Sequence, residues 1–193
     1  MIYLECLSRK HFIRKFVKSR KIIEQTLYSN KNKEIDYQKF NSFQFFKYHS
    51  FIGNTKGNTF PLFFRNKRSS LKGISIINFL NDRGFITAAA HNSCNKELYD
   101  WGILYKDIIF PHFDHENIVM FCDTNYEDNN NKWSIFKGKN TILRRCFYGR
   151  DSFEYIFEYI LQFLEAYKNE RKFFRIVFED GHESTKEVTY NLN

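Results

Sequence analysis

HSFIGNTKGNTFPLFF (residues 49–64) is the stretch around which the rest of the sequence is organised. Gly-Asn-Thr occurs twice within it, at 53–55 and 57–59, and apolar residues lie on both sides. Glycine adopts backbone conformations that other residues avoid, and Asn and Thr side chains hydrogen-bond their own backbone. The pattern predicts a turn that presents the hydroxyl of Thr55 or Thr59 at a surface. A polar turn between two buried elements remains the alternative.

Composition indicates a folded chain of about one domain. The 193 residues are 42% hydrophobic and 19% aromatic, which is not a disordered composition. The net charge is +8, and the basic residues concentrate in 9–33 and 65–72. This charge allows an acidic or phosphorylated partner. Nucleic-acid binding is a weaker alternative, because no RNA- or DNA-binding motif is present.

Targeting signals and the spacing of the cysteines limit further the classes of protein that fit the sequence. The sequence contains no apolar run long enough to span a membrane and no signal peptide after Met1. Four cysteines without a Cys-x-x-Cys pair argue against a zinc knuckle. Two of Cys94, Cys122 and Cys146 could pair in an oxidising compartment, and reduced, buried cysteines are equally compatible.

Periodicity predicts the elements of the first half. Residues 2–4 form a short buried strand, and Ser8 caps a basic helix from about 9 to 27. The aromatic segment Phe43–Phe51 predicts a second strand, and 61–64 begins another buried element. Residues 74–83 predict a helix that ends at Gly84, and 85–90 predicts a strand, an order that favours a parallel sheet.

The second half contains the longest helical pattern of the chain. It begins at Asp151, which with Glu154 has the spacing of a capping box, and continues to about residue 169. Residues 173–178 predict another strand. We therefore expect an α/β fold with helices on a mostly parallel sheet.

Polar residues follow the first and the last predicted strand. Glu5 comes directly after 2–4, and Glu-Asp-Gly-His-Glu (179–183) follows 173–178. Open α/β sheets place their sites at the carboxyl ends of strands, so these residues suit metal coordination or acid–base chemistry. Surface loops are the alternative. His91, His112 and His115, with Asp114 and Asp123, lack metal-ligand spacing on a helix, and we expect surface histidines.

Taken in order, several short motifs resemble the alkaline-phosphatase-like (sulfatase) superfamily. The likeness is greatest to a poorly characterised branch, a domain of unknown function whose members are extracellular or membrane-anchored. It covers nearly the whole chain and rests on the order of motifs that are individually unspecific. These motifs are Glu5 with Ser8-Arg9, Gly53 to Asn58, Gly84 to Thr87, Cys146 to Gly149, Gln162 to Leu164 with Tyr167, Phe173-Phe174, and Gly181 to Glu183.

The resemblance implies a doubly wound sheet that binds two divalent metals, such as zinc, calcium or manganese, at the carboxyl ends of its strands. It implies metal ligation by Glu5 and His182, with Thr55 as metal-bound nucleophile. Lys56 and Asn58 would hold the non-bridging oxygens of a phosphate or sulfate ester. Glu5 replaces the Asp of the family pattern.

The sequence departs from the motif pattern of the superfamily at other positions as well. Gly57 stands where Pro usually precedes the Asn. The sequence has no Cys-x-Pro-x-Arg, so a formylglycine is not implied, and no Asp-His-Gly, which supplies the remaining ligands.

We therefore expect residues 1–193 to form a single, truncated domain whose sheet is incomplete at its C-terminus. The expected function is that of a fragment or degenerate member of a metal-dependent ester hydrolase family, inactive as this chain. The alternative is a non-catalytic protein that binds anionic glycans or phosphorylated surfaces through its basic segments. Members of that family are extracellular or membrane-anchored, and the resemblance implies the same location for this protein.

Overall fold

The computed structural model describes residues 1–4, 7–28, 45, 58, 61–64, 75–92, 113–117, 146–178 and 181. This part of the chain is mixed α/β. Its elements in chain order are β1 (Ile2–Leu4), α1 (Arg9–Lys15), α2 (Val17–Tyr28), α3 (Ile76–Asn81), β2 (Ile86–His91), β3 (His115–Asn117), β4 (Cys146–Phe147), β5 (Arg150–Asp151), α4 (Ser152–Ala166) and β6 (Lys172–Phe178).

A four-stranded parallel sheet forms the centre of the described structure. The strand order is β1-β6-β2-β3, and every neighbouring pair is parallel. β6, the last strand of the described residues, therefore lies between β1 and β2. The predicted parallel sheet is confirmed, as are the strands expected at 2–4, 85–90 and 173–178, to within one residue at their ends. The expected burial of 2–4 is wrong, because Ile2 is exposed and Tyr3 and Leu4 are only half-buried at this edge of the described sheet.

One face of the sheet packs against α4. Buried side chains from β2, β6 and the helix form a single cluster of Ala88, Ala90, Ile156, Phe163, Phe174, Ile176 and Phe178. Aromatic rings meet edge to face at its centre: the Phe163 and Phe174 centroids are 5.0 Å apart with an interplanar angle of 82°. Such pairs contribute beyond the area they bury. The predicted helix of 151–169 is confirmed as the core-packing helix α4.

The opposite face of β6 is also covered. Arg175, which alternates with Phe174 and Ile176 along the strand, is only 3% exposed. Its guanidinium carbon lies 5.2 Å from the centre of the buried Phe63 ring. Sheets of parallel strands are generally buried on both faces, and β6 follows that rule.

The chain reverses between α3 and β2 at a glycine. The Ser75 side chain caps α3 by accepting a hydrogen bond from the backbone N–H of Asn78 at 3.0 Å. After the helix, Gly84 has φ +70° and its N–H donates to the carbonyl of Asn81 at 2.8 Å. A left-handed residue just beyond a helix is the position that glycine favours, so the predicted stop at Gly84 is confirmed.

A two-residue turn introduces α4. Tyr148 (φ 48°) and Gly149 (φ 81°) join β4 to β5 with the two positive φ values of a type I′ turn. Asp151 is the N-cap residue of α4, but its side chain makes no capping hydrogen bond. The predicted capping box is therefore wrong. The Glu154 carboxylate instead accepts a hydrogen bond from Arg150 Nε at 3.3 Å.

The basic helix predicted over about 9–27 is two helices. Ser8 caps α1 as expected, because its Oγ accepts from the His11 N–H at 3.1 Å. Phe16 (φ −91°, ψ 63°) leaves the helical conformation and separates α1 from α2. Its ring stacks on Phe12, with centroids 4.9 Å apart, and Phe16 is 2% exposed. Burial of this ring accompanies a break that the charge pattern does not reveal.

One predicted element falls mainly outside the described residues, and the element expected from 61 to 64 is described in full. The strand expected at Phe43–Phe51 is represented only by Phe45, which is exposed. In the element expected from 61 to 64, Phe63 and Phe64 are buried and Phe64 bridges to Ser75. Among the described helices, none is long and apolar enough to cross a membrane.

We expect Ile156→Ala to destabilise the protein by about 2–5 kcal/mol, because it leaves a cavity in a fully buried cluster. Leu161 on the same helix is 67% exposed, so Leu161→Ala should change the free energy of unfolding by less than about 0.5 kcal/mol. Urea unfolding of both variants measures the difference. Equal losses would contradict the packing of α4 on the sheet.

Candidate functional site

The carboxyl ends of three neighbouring strands meet at one edge of the sheet. Leu4 of β1 pairs with Phe178 of β6, so these two strands end at the same level. His91 of β2 pairs with Val177, one residue earlier on β6. Ligand sites of open parallel sheets lie outside such carboxyl ends, so this edge is the candidate functional site.

Two buried polar residues occupy the end of β2. His91 is 3% exposed and Asn92 is 9% exposed. The Asn92 backbone N–H donates to the Val177 carbonyl at 3.3 Å, which extends the β2–β6 pairing by one residue. Both residues make further contacts, as buried polar groups generally must. They place an imidazole and a carboxamide at the edge where β1 and β6 also end.

The prediction of surface histidines is wrong for His91. The apolar run Ala88–Ala90 continues directly into His91, and the strand's last residue stays inside the sheet. Asn92 was not singled out from the sequence. A polar pair directly after a run of alanines was the available signal for both, because such a run marks a buried strand.

The structure brings together the strand ends from which two predicted site residues follow. Glu5 is the next residue after Leu4, and His182 comes four residues after Phe178. Gly181, between that strand and His182, is buried. Glu5, Thr55, Lys56 and His182 themselves lie outside the described residues. Asn58 is described and is half-buried.

The Ser8-Arg9 pair has a structural role in α1. Ser8 Oγ is the N-terminal cap, and Arg9 is the first, exposed residue of the helix. A side-chain oxygen at this position satisfies a backbone N–H that the helix leaves without a partner. Ser8 is therefore explained by helix capping.

A compact hydrogen-bonded group joins β2 to the residue before β3. Asp114 Oδ2 accepts from the Thr87 backbone N–H at 2.7 Å and from Thr87 Oγ1 at 3.0 Å. The Asp114 N–H donates back to Thr87 Oγ1 at 3.2 Å. Thr87 is fully buried and lies near the amino end of β2, away from the candidate site. These contacts fix β3 beside β2, which accounts for Asp114 without a metal.

His115 also has a defined partner. Its Nε2 is 2.7 Å from the Tyr167 hydroxyl, and its ring lies edge-on to Phe163 at 5.8 Å. His115, the first residue of β3, is half-buried and contacts the C-terminal end of α4. His112 and Asp123 lie outside the described residues. Within the described ranges, no group of three His, Cys, Asp or Glu side chains is placed to hold a metal ion.

Tyr159 of α4 lies on the side of the sheet that this helix covers. Its ring packs edge to face on Phe174, with centroids 5.7 Å apart. Burial raises the pKa of the Tyr159 hydroxyl above its ordinary value, and the charges of Glu116 and Tyr167 raise it further.

Comparison of the chain with protein-family models, curated proteins and solved structures finds no significant match.

We expect the protein to lose stability as the pH rises above about 10, in part through Tyr159. The raised pKa in the folded state means that the unfolded chain releases this proton first, so unfolding is favoured at high pH. Tyr159→Phe keeps the ring on Phe174 and removes the ionisation. Urea unfolding near pH 8 and above pH 10 should show a smaller loss for the variant. Identical pH profiles would contradict this role of Tyr159.

Proposed function

We propose that the chain is a doubly wound domain of the alkaline-phosphatase-like kind, and that it binds a phosphate or sulfate ester at the carboxyl edge of its sheet. The observation that supports this most directly is the pairing of Leu4 with Phe178. Neighbouring strands that end at one level place at the same edge the two points from which the chain continues toward Glu5 and His182. Ligand sites in this class of sheet lie there.

The residues of the proposed site divide into two roles. Glu5, His182 and Thr55 offer a carboxylate, an imidazole and a hydroxyl, a donor set that fits a divalent ion such as zinc. When bound, the metal would act as a Lewis acid on the ester oxygen. Lys56 and Asn58 would hold the non-bridging oxygens, and the Thr55 hydroxyl would face the phosphorus or sulfur as nucleophile.

The proposal includes that this chain binds its ester without turning it over. The sequence holds no Asp-His-Gly, the motif that supplies the remaining ligands in the resembling superfamily. Three donors do not fill two metal sites. The polar pair His91 and Asn92 lies beside the proposed site and would line it on the β2 side.

We expect the purified chain to bind Zn²⁺, and vanadate (a phosphate analogue) only with Zn²⁺ present, and to hydrolyse neither p-nitrophenyl phosphate nor its sulfate analogue. The double variant Glu5→Gln/His182→Ala should reduce Zn²⁺ affinity at least about tenfold in calorimetric titration, because it removes two ligands. Glu24→Gln/His11→Ala removes the same side-chain types from α1 and α2 and is the matched control.

Two results would overturn parts of this proposal. Equal Zn²⁺ affinity in both double variants would exclude the sheet edge as the metal site. Metal-dependent turnover that Thr55→Ala abolishes would confirm the nucleophile and contradict the proposed inactivity.

A second candidate function is the binding of anionic glycans or phosphorylated surfaces without catalysis. The observation that favours it is the charge of α1 and α2. Residues 9–28 contain seven Lys or Arg and one Glu, so they carry +6 of the chain's net +8. All of these basic residues except Lys15 are exposed. The single acid, Glu24, is already paired with Arg20 at 2.9 Å.

We expect the chain to bind immobilised heparin with strong salt dependence and without any effect of a metal chelator. Lys21→Glu should elute at clearly lower salt than Lys168→Glu, a matched reversal of an exposed lysine just beyond α4. Equal shifts for the two variants would show that heparin responds to net charge alone.

A further inference from the structure

The exposed face of α2 is apolar as well as basic. Val17 is 60% exposed and Ile22 is 55% exposed. Lys18 and Lys21 are exposed between them in the sequence. Residues four apart lie on one side of a helix, so Val17 stands beside Lys21 and Lys18 beside Ile22. Two aliphatic side chains therefore share one surface with two lysines.

This apolar surface is not the side by which α2 packs on the protein. Ser19 and Ile23, one turn apart, are half-buried and lie on the side of the helix away from Val17 and Lys21. The helix already has an inward stripe, and Val17 and Ile22 lie outside it.

The combination selects among anionic partners. A sulfated glycan or a nucleic-acid backbone gains from lysines but offers aliphatic side chains no apolar surface to enter. A phospholipid surface offers both, because its headgroups are anionic and the acyl boundary lies just beneath them. Lysine stems can lie along that boundary while their ammonium groups stay at the phosphates.

We propose that the exposed face of α2, formed by Val17, Lys18, Lys21 and Ile22, docks on a membrane surface rich in anionic phospholipid. Val17 and Ile22 enter the headgroup layer, and the lysines contact phosphate and carboxylate groups. The exposed Arg14 at the end of α1 adds to the same local charge. The proposal rests on the second candidate function, anion binding by α1 and α2, and names its partner; it is independent of the ester site.

The test is co-sedimentation of the full chain with vesicles of phosphatidylcholine, with and without phosphatidylserine. We expect binding only to the anionic vesicles. Val17→Ser/Ile22→Ser should weaken it about tenfold or more, because insertion of the two side chains is lost. Leu161→Ser, at an exposed apolar site on α4, is the control and should bind normally. Lys21→Glu should weaken binding about fivefold or more.

Heparin retention of the same variants distinguishes failure of the lipid proposal from failure of anion binding in general. The Val17→Ser/Ile22→Ser protein should keep its heparin elution and its helical circular dichroism, since both positions are exposed. Normal vesicle binding by this variant, or no vesicle binding by a protein that retains heparin, would overturn the lipid proposal and leave a glycan as the partner. If the unmodified protein bound neither anionic vesicles nor heparin, the proposal of anion binding itself would be overturned.

Discussion

The described structure depends on how two small side chains of β2 lie beside the large side chains of β6. β2 is central to the sheet, and its Ala88 and Ala90 fill little volume on the face that α4 covers. Phe174, Ile176 and Phe178 of the neighbouring β6 supply that volume, and Phe163 of α4 meets them. Because close-packed interiors tolerate few voids, the alanines require β6 at this position and in this register. A shift by one residue would turn the β6 aromatics to the other face.

That register is also what defines the candidate site. β1 has only three residues and pairs with β6, so its end is fixed by the strand that packs under α4. β2 ends at nearly the same level, where His91 and Asn92 are buried. A single packing constraint thus aligns three carboxyl ends. The Thr87–Asp114 hydrogen bonds hold β3 on the other side of β2, and its last residue, Asn117, pairs with Ala90, one residue before His91.

Local patterns predicted most of the described elements, and tertiary contacts account for the errors. The stop at Gly84, the cap at Ser8 and the helix α4 depend on a few adjacent residues, so the sequence reveals them. The position of β6 between β1 and β2 depends on pairing across more than eighty residues, which no window of sequence contains. The break at Phe16 coincides with burial of its ring. At the site, Glu5 and His182 were selected by their place after strands, whereas the burial of His91 required the neighbouring β6.

The charge of α1 and α2 contrasts with the pairing at α4. Neither helix has an acid in its first turn, where the helix dipole favours one, and α1 begins with Arg9 and Lys10. Arg14 and Lys15, in the last turn of α1, are favourably placed for the same dipole. By contrast, Arg150 before α4 is paired with both Glu154 and Glu158, an exposed arrangement that contributes little to folding. The cations at the start of α1 are therefore the ones that the stability of the helix does not explain, and the proposed binding of an anionic surface would account for them. Val17 and Ile22 would then favour a phospholipid surface over other anions, as proposed.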